Sequence, residues 1–209
     1  MFGEMSYKIV VARYNEDINW LKNEMHNCVI YNKGHALNIE NEFMLENLGR
    51  ESDTYLNHII NNYDNLSDVV VFTQAQIHDH VGSNDVDFLL KMKNDALIHG
   101  KSQNFFSHTD VGNQPSFDHN WNLRPEGWYL KDNYKDNQPL LFIDWFKNNI
   151  MVEYPNPIFI YGAGLFAVKK ELILKYPIDY YKKLVLEVNH HIDPIEGHFF
   201  ERSWYYIFK

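Results

Sequence analysis

The chain has 209 residues, a formal net charge of −9 and 16% aromatic residues. This length is typical of one large domain, and the acidic balance argues against a protein that grips a nucleic-acid backbone by charge. The single cysteine, Cys28, excludes an intrachain disulfide and a CxxC pair. No basic segment precedes an apolar one at the N-terminus, and no apolar run is long enough to cross a bilayer. We therefore expect no nucleic-acid partner, no membrane span and a cytoplasmic location, which is the host cytoplasm if the protein is viral.

The first part of the chain alternates strand and helix signals. Residues 7–12 (YKIVVA) form a β-branched run that predicts a buried strand. In residues 15–25 the apolar side chains recur at helical spacing, which predicts a helix. Residues 28–31 predict a second short strand, because they are apolar and end at an Asn-Lys-Gly turn signal.

The following segment continues the alternation. Residues 38–48 are polar and predict a loop, and residues 50–63 carry apolar side chains on one face, which predicts a strong helix. Residues 68–73 (DVVVFT) predict a third strand. Because this strand is apolar throughout, we expect both of its faces to be covered.

The second half of the chain is less regular. Residues 100–138 are rich in Asn, Asp, His, Gly and Pro yet carry scattered aromatic side chains, so we expect long ordered loops over a site. The last third regains regular patterns, which predict a strand at 158–161, a bend at Gly162-Ala163-Gly164, a strand at 165–168, helices at 169–176 and 179–188, and a closing helix at 196–208.

The order of these elements predicts an α/β fold. Strands and helices that alternate in this way form a central, mostly parallel, Rossmann-like sheet flanked by helices. Such sheets bind ligands at the carboxyl ends of their strands. The commonest nucleotide signatures, GxGxxG after the first strand and GxxxxGK[ST], are absent, so a nucleotide would need other groups.

The exit of the first strand is the first candidate site. Ala12, Arg13 and Tyr14 stand at its carboxyl end, where an arginine and a tyrosine could hold a phosphate and a base. The alternative is structural, with Arg13 paired to a nearby acid and Glu16 and Asp17 favouring the start of a helix.

The start of the predicted helix at residue 50 is the second candidate site. A glycine before a helix leaves backbone N–H groups free for an anion, and Arg50 adds a positive charge. We expect Arg50 or Ser52 to reach a nucleotide from the side. The alternative is structural: Glu51 and Asp53 stabilise the start of the helix by interacting with its dipole.

The exit of the third strand is the third candidate site. Gln76 and the sequence His78-Asp79-His80 follow it, and Asp with His on one loop suits a divalent cation. Asp79 is the strongest ligand candidate, with His80 beside it. The alternative is a surface loop with incidental histidines.

The last third supplies a fourth group. Gly162 and Gly164 permit close approach of a ligand to the backbone. His191 or His198 could add a metal ligand, and Glu196 or Glu201 could act on an acceptor hydroxyl. Polar surface without a function is the alternative for each of them.

Four segments carry a family resemblance: VVARYNED, VIYNKG, NLGRESDTYLNHIINNYDNL and DVVVFTQAQIHDH. Their order resembles the plan of a sugar-nucleotide-dependent glycosyltransferase of the GT-A type. More narrowly, the chain is similar to a family of glycosyltransferase-like domains found in large DNA viruses of algae and in uncharacterised fungal and bacterial proteins. The shared features are the GRE…YL…I…NYD block at 49–64, Asp79-His80, Phe166-Ala167-Val168 and residues 201–208, so the match spans nearly the whole chain.

The resemblance implies one GT-A domain over residues 1–209, with a nucleotide-binding half at 1–99 and an acceptor-binding, closing half at 100–209. It implies a UDP-sugar as the nucleotide-sugar donor, a glycan or glycoprotein acceptor, and Mn²⁺ or Mg²⁺. The Asp-X-Asp metal motif of such enzymes is not intact here, because the loop reads His78-Asp79-His80. The metal shell would therefore need other ligands.

Further residues receive roles within this hypothesis. Tyr31 joins Arg13 and Tyr14 around the nucleoside, and Asp118 joins the two glutamates as a candidate base. Trp121, Trp128 and Trp204 are expected on the acceptor side. Two rival functions stay open: a nucleotidyltransferase on a related fold, and a non-catalytic glycan-binding module.

Overall fold

The computed structural model describes residues 5–83, 85–108 and 141–209. Most of the loops predicted at residues 100–138 lie outside these ranges, as do Asp118, Trp121 and Trp128. The strands are β1 (Tyr7–Arg13), β2 (Cys28–Asn32), β3 (Glu42–Met44), β4 (Val69–Gln74), β5 (Phe105–His108), β6 (Ile158–Tyr161) and β7 (Phe166–Lys169). The α-helices are α1 (Arg50–Asn61), α2 (His78–Val81), α3 (Val86–His99), α4 (Phe142–Asn149), α5 (Lys170–Ile173), α6 (Ile178–Val185) and α7 (Ile195–Ile207).

A five-stranded sheet organises the described residues, in the order β3-β2-β1-β4-β7. The first four strands in this order run parallel, and β7 pairs antiparallel with β4. A separate antiparallel pair is formed by β5 and β6. The predicted α/β class, with a mostly parallel central sheet flanked by helices, is therefore confirmed.

Both faces of the sheet are covered, as the apolar third strand predicted. Val10 and Val70 belong to one core cluster, which includes residues of α1, α4, α6 and α7. Ile9 and Val71 point the other way into a second cluster, which includes residues of α3. Since successive strand residues face opposite sides, a strand buried on both sides must be apolar at every position.

The helix predicted at residues 15–25 is wrong. Only two short 3-10 turns form in this connection, Asn19–Leu21 and Met25–Asn27. The side chain of Asp17 accepts a hydrogen bond from the N–H of Asn19 at 3.0 Å, and Trp20 Nε1 donates to the carbonyl of Ala75 at 2.9 Å. The Asp17 bond offers the backbone a local alternative to a continuous helix, and the Trp20 bond ties this connection to the exit of β4.

Two other predictions change at the level of elements, and two helices form where none was predicted. The loop predicted at 38–48 contains β3, which extends the sheet at its edge. The helix predicted at 169–176 is only the single turn α5, and α3 and α4 occupy segments for which the sequence analysis assigned no element. The closing helix at 196–208 is confirmed as α7.

The topology brings three chain segments to one edge of the sheet. The carboxyl ends of β1, β2 and β4 meet there because the three strands are parallel neighbours. No helix in the described ranges is long and apolar enough to cross a membrane.

Candidate functional site

A polar cleft lies at the carboxyl ends of β1 and β4 and at the start of α1. It consists of two cavities of about 510 and about 940 Å³. Four side chains line both cavities, so the two form one continuous site, and these are Arg50, Glu51, Gln74 and Asp79. The position agrees with the rule that open parallel sheets bind ligands beyond their carboxyl ends.

The exit of β1 forms one wall of the first cavity. Ala12, Arg13 and Tyr14 all line it, as predicted for the nucleotide side, and Gln76 lines it from the exit of β4. The side chain of Tyr14 is half exposed, so its ring is available to a flat ligand. The adjacent Glu16 carboxylate accepts the N–H of Tyr14 at 2.7 Å and so fixes the backbone of this wall.

Arg13 lines the cavity but is engaged in holding loops. Its Nε donates to the carbonyl of Glu16 at 2.9 Å, and its Nη1 donates to Asn32 Oδ1 at 2.9 Å and to the carbonyl of His35 at 3.0 Å. The residue is only 8% exposed. Arg13 therefore joins the exits of β1 and β2. This arrangement fits a structural role better than a direct contact with a phosphate.

The start of α1 has an unusual backbone. Gly49 and Arg50 both have positive φ, 64° and 50°. A Cβ at Gly49 would lie 2.5 Å from the Cβ of Asp53, so only glycine fits there. For Arg50 a positive φ is a strained conformation, of a kind that persists where the surrounding structure enforces it.

Lys33 enforces this turn. Its buried Nζ donates to the carbonyl oxygens of Leu48 and Arg50, the latter at 2.7 Å. It also forms an ion pair with Asp53 Oδ2 at 2.8 Å, in which the two side chains are 5% and 7% exposed. Burial lowers the pKa of Lys33, an effect that the Asp53 carboxylate opposes. These contacts of Lys33, which we call the Lys33 clamp, join the exit of β2 to the turn that carries Arg50.

The side chain of Arg50 lies along both cavities. Its Nη1 contacts Asp193 Oδ1 at 3.1 Å, and its Nε lies 3.7 Å from Glu51 Oε2. The neighbouring Glu51 carboxylate is the main cause of the raised pKa of Arg50. The loop that carries Asp193 is tied to the same turn, because the N–H of Gly49 donates to the carbonyl of His191 at 2.8 Å. Arg50 is thus a fixed positive charge between two acids.

Three of the predicted metal ligands lie along the second cavity. Asp79 and His80 line it from α2, with His80 Nε2 3.7 Å from Asp79 Oδ2, and His198 lines it from α7. Within residues 5–83, 85–108 and 141–209, no three His, Cys, Asp or Glu side chains are arranged to hold a metal ion. The metal site stays a prediction.

Two glutamates, Glu51 and Glu201, line the second cavity. Glu201, a predicted base, lines the second cavity, and its Oε1 accepts the N–H of Ala163 at 2.7 Å. Burial raises the pKa of the Glu201 carboxyl, and the Glu51 carboxylate raises it further. A carboxyl group with a raised pKa beside a polar cavity suits proton transfer.

Four predicted residues are not among the described residues that line the cleft. Tyr31 is 4% exposed and packs in the core, where its hydroxyl lies 3.2 Å from His58 Nδ1. Ser52 is buried inside α1, and Gly164, with φ of 65°, packs against Glu51 and Tyr55. Glu196 lies beside His190, at 3.6 Å from its Nε2.

Trp204, expected on the acceptor side, is likewise in the core. It is fully buried, and its ring lies 5.2 Å from that of Phe166. Trp204 belongs to the core cluster that covers one face of the sheet, whereas Glu201, three residues earlier on α7, lines the cavity. Alternation along β2 likewise turns Tyr31 into the core.

Several residues of the cleft escaped the sequence analysis. Lys33 was predicted to stand at a strand end and in a turn but received no role, and Glu51 was predicted only to interact with the helix dipole, although both line the first cavity. Thr54 and Gln74 line it as well. The usable signal was positional, because Lys33 and Gln74 stand at strand ends and Thr54 follows Arg50 at the helical spacing of four residues.

Comparison with known proteins identifies a family for the chain. A family model described as a protein of unknown function, DUF3431, matches residues 9–209. No curated protein matches the chain. The matched residues include the five-stranded sheet from Ile9 onward, the turn at Gly49 and the described walls of both cavities. The chain belongs to the DUF3431 family.

Proposed function

We propose that the chain is a GT-A type glycosyltransferase that transfers a sugar from a nucleotide-sugar donor, a UDP-sugar, to a hydroxyl of a glycan or glycoprotein. One observation carries the proposal: a polar cleft at the carboxyl ends of parallel strands presents Tyr14, Arg50 and Asp79 together. An aromatic ring, a fixed cation and a carboxylate are the groups that a base, a diphosphate and a divalent cation require. The sequence resemblance supports the same function.

The first cavity would hold the nucleotide. The exposed ring of Tyr14 offers a stacking surface for the base, and Arg50 offers a positive charge to the diphosphate. The Lys33 clamp holds the backbone of Arg50, and Asp193 and Glu51 orient its guanidinium, so the group is oriented before the ligand arrives. Such preorganisation reduces the entropy lost on binding.

The proposal includes Mn²⁺ or Mg²⁺, but not as a cation that the protein holds by itself. The described side chains alone do not provide a set of three metal ligands, so they do not fit a cation held by the protein alone. Asp79 would contribute one carboxylate, as in Mg²⁺ sites whose other ligands are substrate phosphates and water. We assign no catalytic step to the metal.

The second cavity would hold the acceptor. Glu201 lies on its wall, and its ionised carboxylate would take the proton of the acceptor hydroxyl as that oxygen attacks the sugar. The bond from the anomeric carbon to the diphosphate breaks in the same step. Arg50, which lines both cavities, would stabilise the negative charge that develops on the leaving diphosphate.

Calorimetric titration with UDP, with and without Mn²⁺, tests the donor site. We expect binding by the wild type and a loss of about ten- to a hundredfold in Arg50→Ala, the range for a hydrogen bond to a charged group. Lys182→Ala is the control, because it removes the same charge from an exposed position on α6. No heat from the wild type at millimolar UDP would refute the proposal.

Donor hydrolysis across UDP- and GDP-sugars then tests the reaction. Release of UDP from one sugar donor, stimulated by a glycan acceptor, is the expected result. Incorporation of a nucleoside monophosphate from UTP with release of pyrophosphate would instead establish a nucleotidyltransferase. Tight binding of a glycan without any turnover would indicate a binding module.

A further inference from the structure

We infer that the second cavity binds a neutral sugar ring, which stacks on the side chain of Phe106 in a space that Gly162 and Gly197 keep open. The inference rests on the proposed function, because it names the class of acceptor that this cavity takes. All three residues line the cavity. Its wall combines an exposed aromatic ring, two glycines that the backbone does not require, and an acidic lining.

Phe106 places an aromatic ring on the wall of the cavity. The preceding residue, Phe105, packs against Tyr205, with ring centroids 4.8 Å apart. Because successive residues of β5 point to opposite sides, Phe106 points away from this contact, and it is 39% exposed. Its Cε1 lies 3.3 Å from the position that a Cβ would take at Gly162. The C–H face of a sugar ring is apolar and suits the negative face of an aromatic ring.

The two glycines leave space that the fold itself does not require. Neither Gly162 nor Gly197 has a positive φ. Gly197 lies in the first turn of α7, where alanine would favour the helix more. It is buried, yet a Cβ there would meet no atom of the described residues within 4 Å. A side chain at Gly162 would instead press on the ring of Phe106. Both glycines therefore keep the cavity open.

This space lies beside the proposed base. Gly197 and Glu201 are four residues apart on α7, so they lie on the same face of the helix. The N–H of Ala163 donates to Glu201 Oε1 at 2.7 Å, which ties the carboxylate to the residue after Gly162. The two glycines therefore flank Glu201, and the ring of Phe106 lies against one of them. A sugar stacked on this ring would direct its hydroxyls towards the carboxylate.

The charge of the lining indicates a neutral sugar. Among the described residues, three carboxylates line the cavity, those of Glu51, Asp79 and Glu201. Arginines line it as well, but Arg50 is paired with Asp193 and Arg202 is only 3% exposed. An acceptor with a carboxylate or a phosphate would meet like charges here, which costs binding energy. Sugar hydroxyls, in contrast, can donate hydrogen bonds to the carboxylates.

Saturation-transfer NMR with methyl glycosides tests the site without requiring turnover. The probes are the neutral methyl glycosides of glucose, galactose, mannose, xylose, fucose and rhamnose, with methyl glucuronide as the anionic counterpart of methyl glucoside, each in the presence of UDP. We expect the wild type to bind at least one neutral glycoside. Methyl glucuronide should bind about tenfold more weakly or not at all, because it carries a carboxylate.

Phe106→Ala should weaken binding of the best neutral glycoside by about tenfold, since the stacking surface is lost. Phe106→Trp keeps an aromatic face and should stay within about threefold of the wild type. In calorimetric titration the affinity of Phe106→Ala for UDP should be unchanged, because Phe106 is not one of the described residues that line the first cavity.

Phe43→Ala is the matched control. Phe43 is also an exposed phenylalanine on a strand, 54% exposed on β3. It does not belong to the described lining of either cavity. Its loss should leave glycoside binding within about twofold of the wild type.

Substitutions at Gly197 test the open space. Gly197→Ala should melt at a higher temperature than the wild type, because alanine favours the helix and its Cβ meets no described atom. Gly197→Leu should fill the space and abolish glycoside binding, while UDP affinity is retained. A lower melting temperature of Gly197→Ala would show that the fold needs this glycine and would remove it from the inference.

The results separate this inference from the proposed function. If the wild type binds UDP but no neutral glycoside, or if Phe106→Ala binds glycosides as the wild type does, the inference is wrong and the proposed function stands. Equal binding of methyl glucuronide and methyl glucoside would contradict a neutral acceptor. Glycoside binding that depends on Phe106 in a protein that does not bind UDP would support the sugar site and remove the glycosyltransferase.

Discussion

At the scale of single residues, the charge of Glu51 affects two other residues of the cleft. Glu51 lies beside Arg50 and also raises the pKa of Glu201. The two carboxylates come from α1 and α7, far apart in the sequence, so no local pattern predicted their electrostatic interaction. If Glu201 is the base, its ionisation sets the acidic limb of the pH profile, and activity falls as pH drops through its pKa.

Glu51→Gln tests this coupling. Removal of the Glu51 charge should lower the pKa of Glu201, because the repulsion that opposes its ionisation is lost. The acidic limb of kcat/KM should therefore move to lower pH, measured as donor turnover from pH 4 to 8. Glu171→Gln, at an exposed acid in the first turn of α5, should leave the limb in place. An unmoved limb in Glu51→Gln would remove Glu201 as the base.

At the scale of elements, the junction between β2 and α1 positions the site. The buried Lys33–Asp53 ion pair and the two carbonyl contacts of Lys33 hold Gly49 and Arg50 at positive φ. The sequence predicted both the strand end and the helix start. It did not show that one lysine joins them, because Lys33 and Asp53 approach only when β2 and α1 pack together.

Lys33→Met should destabilise the protein by roughly 3–5 kcal/mol, because the buried charge of Asp53 loses its partner. The double variant Lys33→Met/Asp53→Leu should recover much of this loss, since apolar replacement of a buried ion pair is often neutral. Urea unfolding measures both. UDP affinity should stay reduced in the recovered double variant, because the turn at Arg50 is no longer tied. Wild-type affinity in the double variant would show that the clamp does not position Arg50.

At the scale of the whole molecule, one buried histidine links folding to pH. His58 in α1 packs against Tyr31 and Phe72 between the helix and the sheet. Burial lowers the pKa of His58 from 6.5 to about 4. The unfolded chain therefore binds a proton below pH 6.5 that the folded chain does not bind until about pH 4, so stability falls as pH drops through this window.

The size of this effect can be measured. A shift from 6.5 to about 4 corresponds to roughly 3 kcal/mol of stability lost between neutral pH and pH 4. His58→Gln should have a lower stability at pH 7, because core packing is lost, but a shallower dependence on pH. Urea unfolding at pH 7, 5.5 and 4.5 compares the two proteins. Parallel pH profiles would show that other groups dominate.

The sequence by itself determined the elements whose signals are local. The apolar runs of β1, β2 and β4, the Gly49 break before α1 and the periodicity of α7 each reflect a pattern within a few residues. Together they predicted a mostly parallel sheet and placed Arg50 and Asp79 at its carboxyl edge. The helix predicted at 15–25 was wrong: the side chain of Asp17 binds the N–H of Asn19 in competition with helical bonds, and a tertiary contact from Trp20 to the carbonyl of Ala75 holds the connection.

The tertiary structure decided which side chains face the cleft. Tyr31 and Trp204 carry groups that suit a ligand, yet the pleat of β2 and the packing of α7 place them in the core. Lys33 and Glu51 show ordinary local patterns and enter the site only through contacts between distant segments. Strand and helix signals depend on residues that are neighbours along the chain. Burial, pKa shifts and unsatisfied hydroxyls such as that of Thr54 depend instead on which distant segments pack against each other.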